Sequence, residues 1–86
     1  MKTIYKNNED ILSNIDKIHT TTLGLKRISK NLNIKEEESI SYCKKVIKRK
    51  DTKIYKDGKN YYCENKNIKI TINSYNYSII TAHIIK

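Results

Sequence analysis

The chain has no Phe and no Trp, and it holds two glycines (Gly24, Gly58) and two cysteines (Cys43, Cys63) in 86 residues. Each shortage excludes something. Without Phe or Trp the core must be assembled from Ile, Leu, Val and Tyr, and every buried tyrosine needs a partner for its hydroxyl. Two isolated glycines make neither a P-loop nor a G-x-G-x-x-G turn, so nucleotide-driven chemistry is not expected. Apolar runs extend for only a few residues, which leaves no transmembrane candidate. The opening Met1-Lys2-Thr3-Ile4-Tyr5-Lys6 lacks the apolar stretch and cleavage site of a signal peptide. A cytoplasmic protein is therefore expected, with Cys43 and Cys63 reduced rather than bridged. His19, Cys43, Cys63 and His83 lack the short paired spacing of zinc ligands, and Asp16, Asp51, Asp57 and Glu64 are too scattered for a two-metal cluster. No metal or cofactor is expected.

Charge is what the sequence has in excess. The net charge is +9, yet the stretch through Gly24 is neutral, with Lys2, Lys6 and Lys17 against Glu9, Asp10 and Asp16. Between Lys44 and Lys69 ten Lys/Arg face three acids, a net of +7. A field of one sign concentrated in one stretch attracts polyanions and speeds encounter with them. A membrane is a poorer fit, because no segment joins a basic face to a strongly apolar one. Heavy use of Ile, Lys, Asn and Tyr also matches AT-rich coding, which raises the lysine content regardless of function.

The chain is short enough for one domain, residues 1–86, and it divides by period. Residues 1–7 show none. Ile11, Leu12, Ile15 and Ile18 recur at helical spacing, with Asn8 as the expected cap and an end near His19. One of Thr20, Thr21 and Thr22 caps a second helix carrying Leu23, Leu25, Ile28 and Leu32. A third opens at Lys35-Glu36-Glu37-Glu38, buries Ile40, Cys43, Val46 and Ile47, and ends in cations that suit its negative pole. The helical part thus spans 8–50, and from 51 to 86 the period falls to two. Thr52 to Lys56 and Asn60 to Glu64 flank Asp57-Gly58, a hairpin signal. Ile68, Ile70 and Ile72 alternate with Lys69, Thr71 and Asn73. A turn at Ser74-Tyr75-Asn76 leads to a last strand, Tyr77 to Ile85, whose apolar content predicts a central place. A three-residue turn sets Ile80, Ala82 and Ile84 on the face of Ile68, Ile70 and Ile72. The expected fold is α+β: three N-terminal helices packed on one face of a four-stranded antiparallel meander.

The helix-free face of such a sheet is where function is expected. Lys53, Lys56, Lys59, Tyr62, Lys69, Thr71 and Asn73 are the candidate nucleic-acid-binding residues, since lysines pair with phosphates and tyrosines stack on unpaired bases. The plain alternative is that tyrosines favour strands and lysines blunt sheet edges. For catalysis, metal-free RNA cleavage needs a base, an acid and cations around the phosphate. His83 is the candidate base or acid, Arg27, Lys59 or Lys69 the candidate cation, and Tyr77 a candidate group to position the phosphate. An ordinary surface histidine is the competing account of His83, and His19 reads as a capping or packing residue.

Two stretches carry a resemblance. Ile15-Asp16-Lys17-Ile18-His19-Thr20-Thr21 with Leu23-Gly24 and Arg27-Ile28 is one. Ile70-Thr71-Ile72-Asn73-Ser74-Tyr75 with Ile79-Ile80-Thr81-Ala82-His83 is the other. Together they resemble a family of small bacterial proteins described only as a domain of unknown function. More distantly, helices followed by an antiparallel sheet with a polar last strand resemble the barnase/EndoU/colicin/RelE-type nuclease superfamily. That likeness implies a metal-independent, toxin-like ribonuclease, with Thr81 and His83 of the polar last strand and Arg27 as the catalytic residues carried over. RNA is the expected partner, DNA the alternative, and an acidic protein a further partner. The other reading is a non-catalytic accessory of phage or mobile-element type that binds nucleic acid or a nucleoprotein.

Overall fold

The computed structural model describes residues 3–4 and 9–85, with side chains from residue 11 onward. The architecture is α+β. A two-residue strand, β1 (Thr3–Ile4), precedes α1 (Glu9–Ser13), a 3₁₀ turn (Ile15–Lys17), α2 (Thr22–Leu32) and α3 (Glu36–Lys48). Four longer strands follow: β2 (Lys53–Asp57), β3 (Asn60–Asn65), β4 (Ile68–Asn73) and β5 (Ile79–Ile84). All pairs are antiparallel, in the order β1-β2-β3-β4-β5. The expected meander is thus present, led by one short extra strand from the stretch in which no period is visible. Two calls change. The first helix stops at Ser13 and continues as a 3₁₀ turn, and the expected Asn8 cap lies outside the described residues. The last strand is an edge rather than central.

Local chemistry explains the element ends. Thr21 caps α2, its hydroxyl accepting from the Gly24 amide at 3.0 Å. Asn33 closes the same helix in the left-handed region at φ 56°, a conformation asparagine tolerates better than most side chains. Gly58, at φ +66°, supplies the positive φ that the two-residue turn between Asp57 and Asn60 requires. At the β4–β5 turn the Asn73 carboxamide oxygen accepts from the Tyr75 and Asn76 amides. That turn runs one residue further than the spacing predicts, because Tyr77 takes φ 59° and belongs to it.

The core lies between the helices and one face of the sheet. Ile11, Ile18, Ile28, Leu32, Cys43, Val46 and Ile47 from the helical half meet Ile54, Tyr61, Cys63, Ile70, Ile72, Ile79 and Ala82. Cross-strand register accounts for the second set: Ile54 pairs with Cys63, Cys63 with Ile70, and Ile70 with Ala82. A register shift between Thr71 and Ile72 then places Ile79 opposite Ile72. Ile79 is therefore buried, and Ile80, expected on the core face, is 45% exposed. On α2, Leu23 is likewise exposed while Gly24 is buried.

The edge position of β5 comes with polar cover. His19 and Ser78 form a parallel bridge, in which the His19 amide donates to Tyr77 O and the Ile79 amide donates to His19 O. Thr20 Oγ1 donates to Ile79 O at 2.9 Å, and Asn31 Nδ2 donates to Ala82 O at 3.2 Å. Chain from the helical half thus occupies hydrogen-bonding groups that an edge strand otherwise offers to a neighbour. At the far side, Thr52 donates to Val46 O and Asn65 Nδ2 donates to Thr52 Oγ1 at 2.8 Å, tying the end of α3 to the first hairpin. Among the described residues no helix is long and apolar enough to cross a membrane.

Candidate nucleic-acid interface

Strand alternation puts every second residue on the face away from the helices. Two rows of cross-strand neighbours form there. One runs Lys53–Glu64–Lys69–His83, and the next runs Tyr55–Tyr62–Thr71–Thr81. The hairpin turn at Gly58 fixes both rows, since pairing Asp57 with Asn60 obliges Tyr55 to oppose Tyr62 and Lys53 to oppose Glu64.

The two tyrosine rings stack with centroids 5.3 Å apart and planes 21° from parallel. Lys69 Nζ stands 4.9 Å from the Tyr62 centroid, and Lys53 Nζ stands 5.8 Å from that of Tyr55. Both lie within reach of a cation–π attraction. Tyr55 donates its hydroxyl to Glu64 Oε2. That bond, with a smaller contribution from burial, pushes the Tyr55 phenol up to about 12, so it remains a donor well past neutral pH. Tyr55 is 4% exposed, packed among its neighbours, whereas Tyr62 is half-buried and keeps part of its surface toward solvent. Glu64 therefore serves two local purposes. It anchors the Tyr55 hydroxyl, and it separates two like charges that adjacent cross-strand positions would otherwise crowd.

The structure sorts the expected binding residues into two groups. Lys53, Tyr62, Lys69 and Thr71 share the face that none of the described helices covers, the open face in that sense. Thr71 is 7% exposed, so it is part of the floor rather than a projecting contact. Lys59 sits in the β2–β3 turn, where its carbonyl accepts from Ser74 N at 2.9 Å. Lys56 is on the helix-bearing side, with Nζ 6.0 Å from the ring of core residue Tyr61. Asn73 spends its side-chain oxygen inside its own turn.

The expected catalytic set is not brought together on that face. His83 and Thr81 are there, half-buried, at the β5 side. Tyr77 was expected beside them, but its left-handed backbone turns it to the core side, where its ring stacks on Tyr61 at 6.5 Å. Arg27 is exposed on α2, one turn before Asn31 on the stripe that borders the β5 edge. His19 is exposed, with Nδ1 2.8 Å from Lys17 O.

The remaining cations go elsewhere. Cys43, Val46 and Ile47 fix the buried stripe of α3, so helical geometry turns Lys45 and Lys48 outward on the layer opposite the open sheet face, with Lys44 half-buried on the flank beside them. The +7 stretch is thus split between two sides of the molecule. The sequence offers Tyr55 to this face along with Lys53, Lys59, Tyr61 and Tyr62; of these Tyr61 goes to the core instead, and Glu64 is the site residue that the sequence pattern does not single out, although the Gly58 hairpin carries the signal that places it.

A family model described as a protein of unknown function (DUF3781) matches residues 12–83, which takes in α2, α3, the open sheet face and both histidines. No curated protein and no solved structure matches the chain.

Proposed function

The chain belongs to the DUF3781 family, and we propose that it binds single-stranded nucleic acid, RNA foremost, on the open face of its sheet. The observation that carries this is the half-buried Tyr62 ring, held against Tyr55 and flanked by Lys69 and Lys53. An unpaired base needs a rigid aromatic surface, and its phosphates need cations at the rim of that surface. Here the ring is held by its neighbour, so little side-chain freedom is lost when a base stacks on it. Lys69, now above the ring, becomes available to a phosphate once a base takes its place.

Binding is proposed ahead of cleavage. Metal-free cleavage asks a base, an acid and a cation to converge on one phosphate. His83 and Thr81 share the open face, but Tyr77 lies on the other side of the sheet. The likeness to the nuclease superfamily supplies cleavage as the second reading, and His83 is the residue through which it is tested.

The experiment is fluorescence anisotropy of a labelled twelve-nucleotide RNA, single-stranded or annealed to its complement, with wild type and Tyr62→Ala, followed by a denaturing gel of the same samples. Single strand is expected to bind more tightly than duplex at this site, and Tyr62→Ala to weaken it on the order of 5- to 100-fold, the worth of one stacked base. Intact RNA on the gel supports a binding protein. RNA cut by wild type and spared by His83→Ala supports the nuclease. Absence of binding at low salt refutes both.

A further inference from the structure

We infer that the outward stripe of α3 is a second nucleic-acid surface, one that takes the phosphate backbone of a duplex, so that the chain bridges a single strand on its sheet to a duplex on its helices. The argument starts from how α3 distributes charge. Glu36, Glu37 and Glu38 occupy its first turn, and Lys44, Lys45, Lys48, Arg49 and Lys50 crowd its end. Cations in a last turn complement the helix dipole, but that effect fades within one turn. It leaves Lys44 unexplained, and it does not call for five cations in seven residues.

Position supplies the rest. Lys44 and Lys48 are one helical turn apart on the same stripe, and with Lys45 they line a shallow furrow of about 450 Å³ that also touches Glu37, Ile40 and Ser41, so three cations outweigh the one carboxylate at its N-terminal end. The aromatic residue of α3, Tyr42, is half-buried against the core and borders the adjoining furrow beside Lys45. Lys44 and Lys48 lie away from that ring, and closely spaced point charges suit a backbone. A duplex presents about one negative charge per 1.7 Å of axis and a condensed ion atmosphere, so it rewards such a stripe more than a single strand does.

The two surfaces lie on opposite layers of a molecule measuring 21 Å across its shortest dimension. That exceeds the screening length of about 10 Å at 0.1 M salt, so two polyanions approaching from opposite sides repel each other weakly. The charges on α3 and the rings on the sheet are separate observations, and either surface stands without the other.

Bridging is read by energy transfer between a donor-labelled six-nucleotide single strand and an acceptor-labelled twenty-base-pair duplex of unrelated sequence. Transfer is expected when protein is added at stoichiometric amounts and is expected to fall again in protein excess, as each ligand finds its own copy. Lys44→Gln with Lys48→Gln should abolish transfer, leave single-strand affinity within about twofold, and lower the salt slope of duplex binding by about 1.8. Tyr62→Ala should do the converse. Circular dichroism of each variant checks that it is folded. If the two ligands displace one another, or if the duplex fails to bind while the single strand does, the bridge is overturned and the sheet-face reading stands. If the duplex binds and the single strand does not, the bridge and that reading fall together, leaving α3 as a lone site.

Discussion

Removing two lysines from one side or the other of the molecule is a test of location, because either change leaves the same net charge of +7, down from +9. Lys53 and Lys69 flank the stacked tyrosines on the open face, and Lys44 and Lys48 stand on the outward stripe of α3. For a single strand, log K falls with log salt at a slope of about 0.7 per phosphate neutralised. With Lys53 and Lys69 engaged, the slope for a six-nucleotide strand is about 1.4, and Lys59 at the hairpin turn raises it to about 2.1. Affinity should then drop roughly 7- to 18-fold between 50 and 200 mM salt. Lys53→Gln with Lys69→Gln removes about 1.4 from that slope, leaving at most about a threefold salt effect. Lys44→Gln with Lys48→Gln should leave the slope where it was. Anisotropy titrations of wild type and both variants at four salt concentrations measure all three slopes. A slope that collapses with the α3 pair and survives loss of the sheet pair refutes a single-strand site on the sheet.

Two further outcomes follow from the core. Gly24→Ala sets a methyl 2.2 Å from Thr20 Oγ1, the atom that bonds Ile79 O, so the β5 edge must loosen. A loss of about 1–3 kcal/mol in urea unfolding is expected, and an unchanged midpoint refutes the close approach. Burial pushes the Cys43 and Cys63 thiols from 9.0 up to about 12, so folded thiols keep their protons while unfolded ones ionise. Stability should be fully present below pH 9 and fall as pH rises toward 12, by at most about 2.7 kcal/mol per pH unit for the pair. Both thiols should resist a disulfide reagent at pH 8; rapid labelling of the native chain, or a flat urea midpoint from pH 8 to 11, contradicts this.

Much of the fold is legible wherever the determinant is local. The Gly58 turn, the threonine cap on α2 and the alternation through Ile68, Ile70 and Ile72 each rest on a few adjacent residues whose backbone preferences suffice. What is not legible depends on distant partners. The apolar content of the last strand predicts a central place, because periodicity reports burial and not sheet order. Its burial comes instead from α2, laid along it. The shift at Thr71/Ile72 exchanges Ile80 for Ile79 in the core, and one residue of extra turn carries Tyr77 across the sheet. No composition signal marks either event. The open face was readable in outline through Lys69, Thr71, Thr81 and His83, since alternation alone selects them. The hairpin offers Tyr55, Tyr61 and Tyr62 as well, but which of them take that face, and the bond from Tyr55 to Glu64, follow only from the hairpin register. Tyr61 and Tyr62, adjacent in sequence, go to opposite sides by the same alternation.

The cover on the β5 edge has a consequence for the order in which the molecule assembles. Thr20 waits for a carbonyl 59 positions away, and Asn31 for one 51 positions away. When α2 first emerges from a ribosome, its stripe of Ile28 and Leu32 has nothing to lie on, and short helices seldom persist in water alone. Synthesis must therefore run on through residue 82 before the early helical segment gains its permanent seat. Until then that apolar stripe lacks its partner, and the final strand acts as the latch that ends the interval.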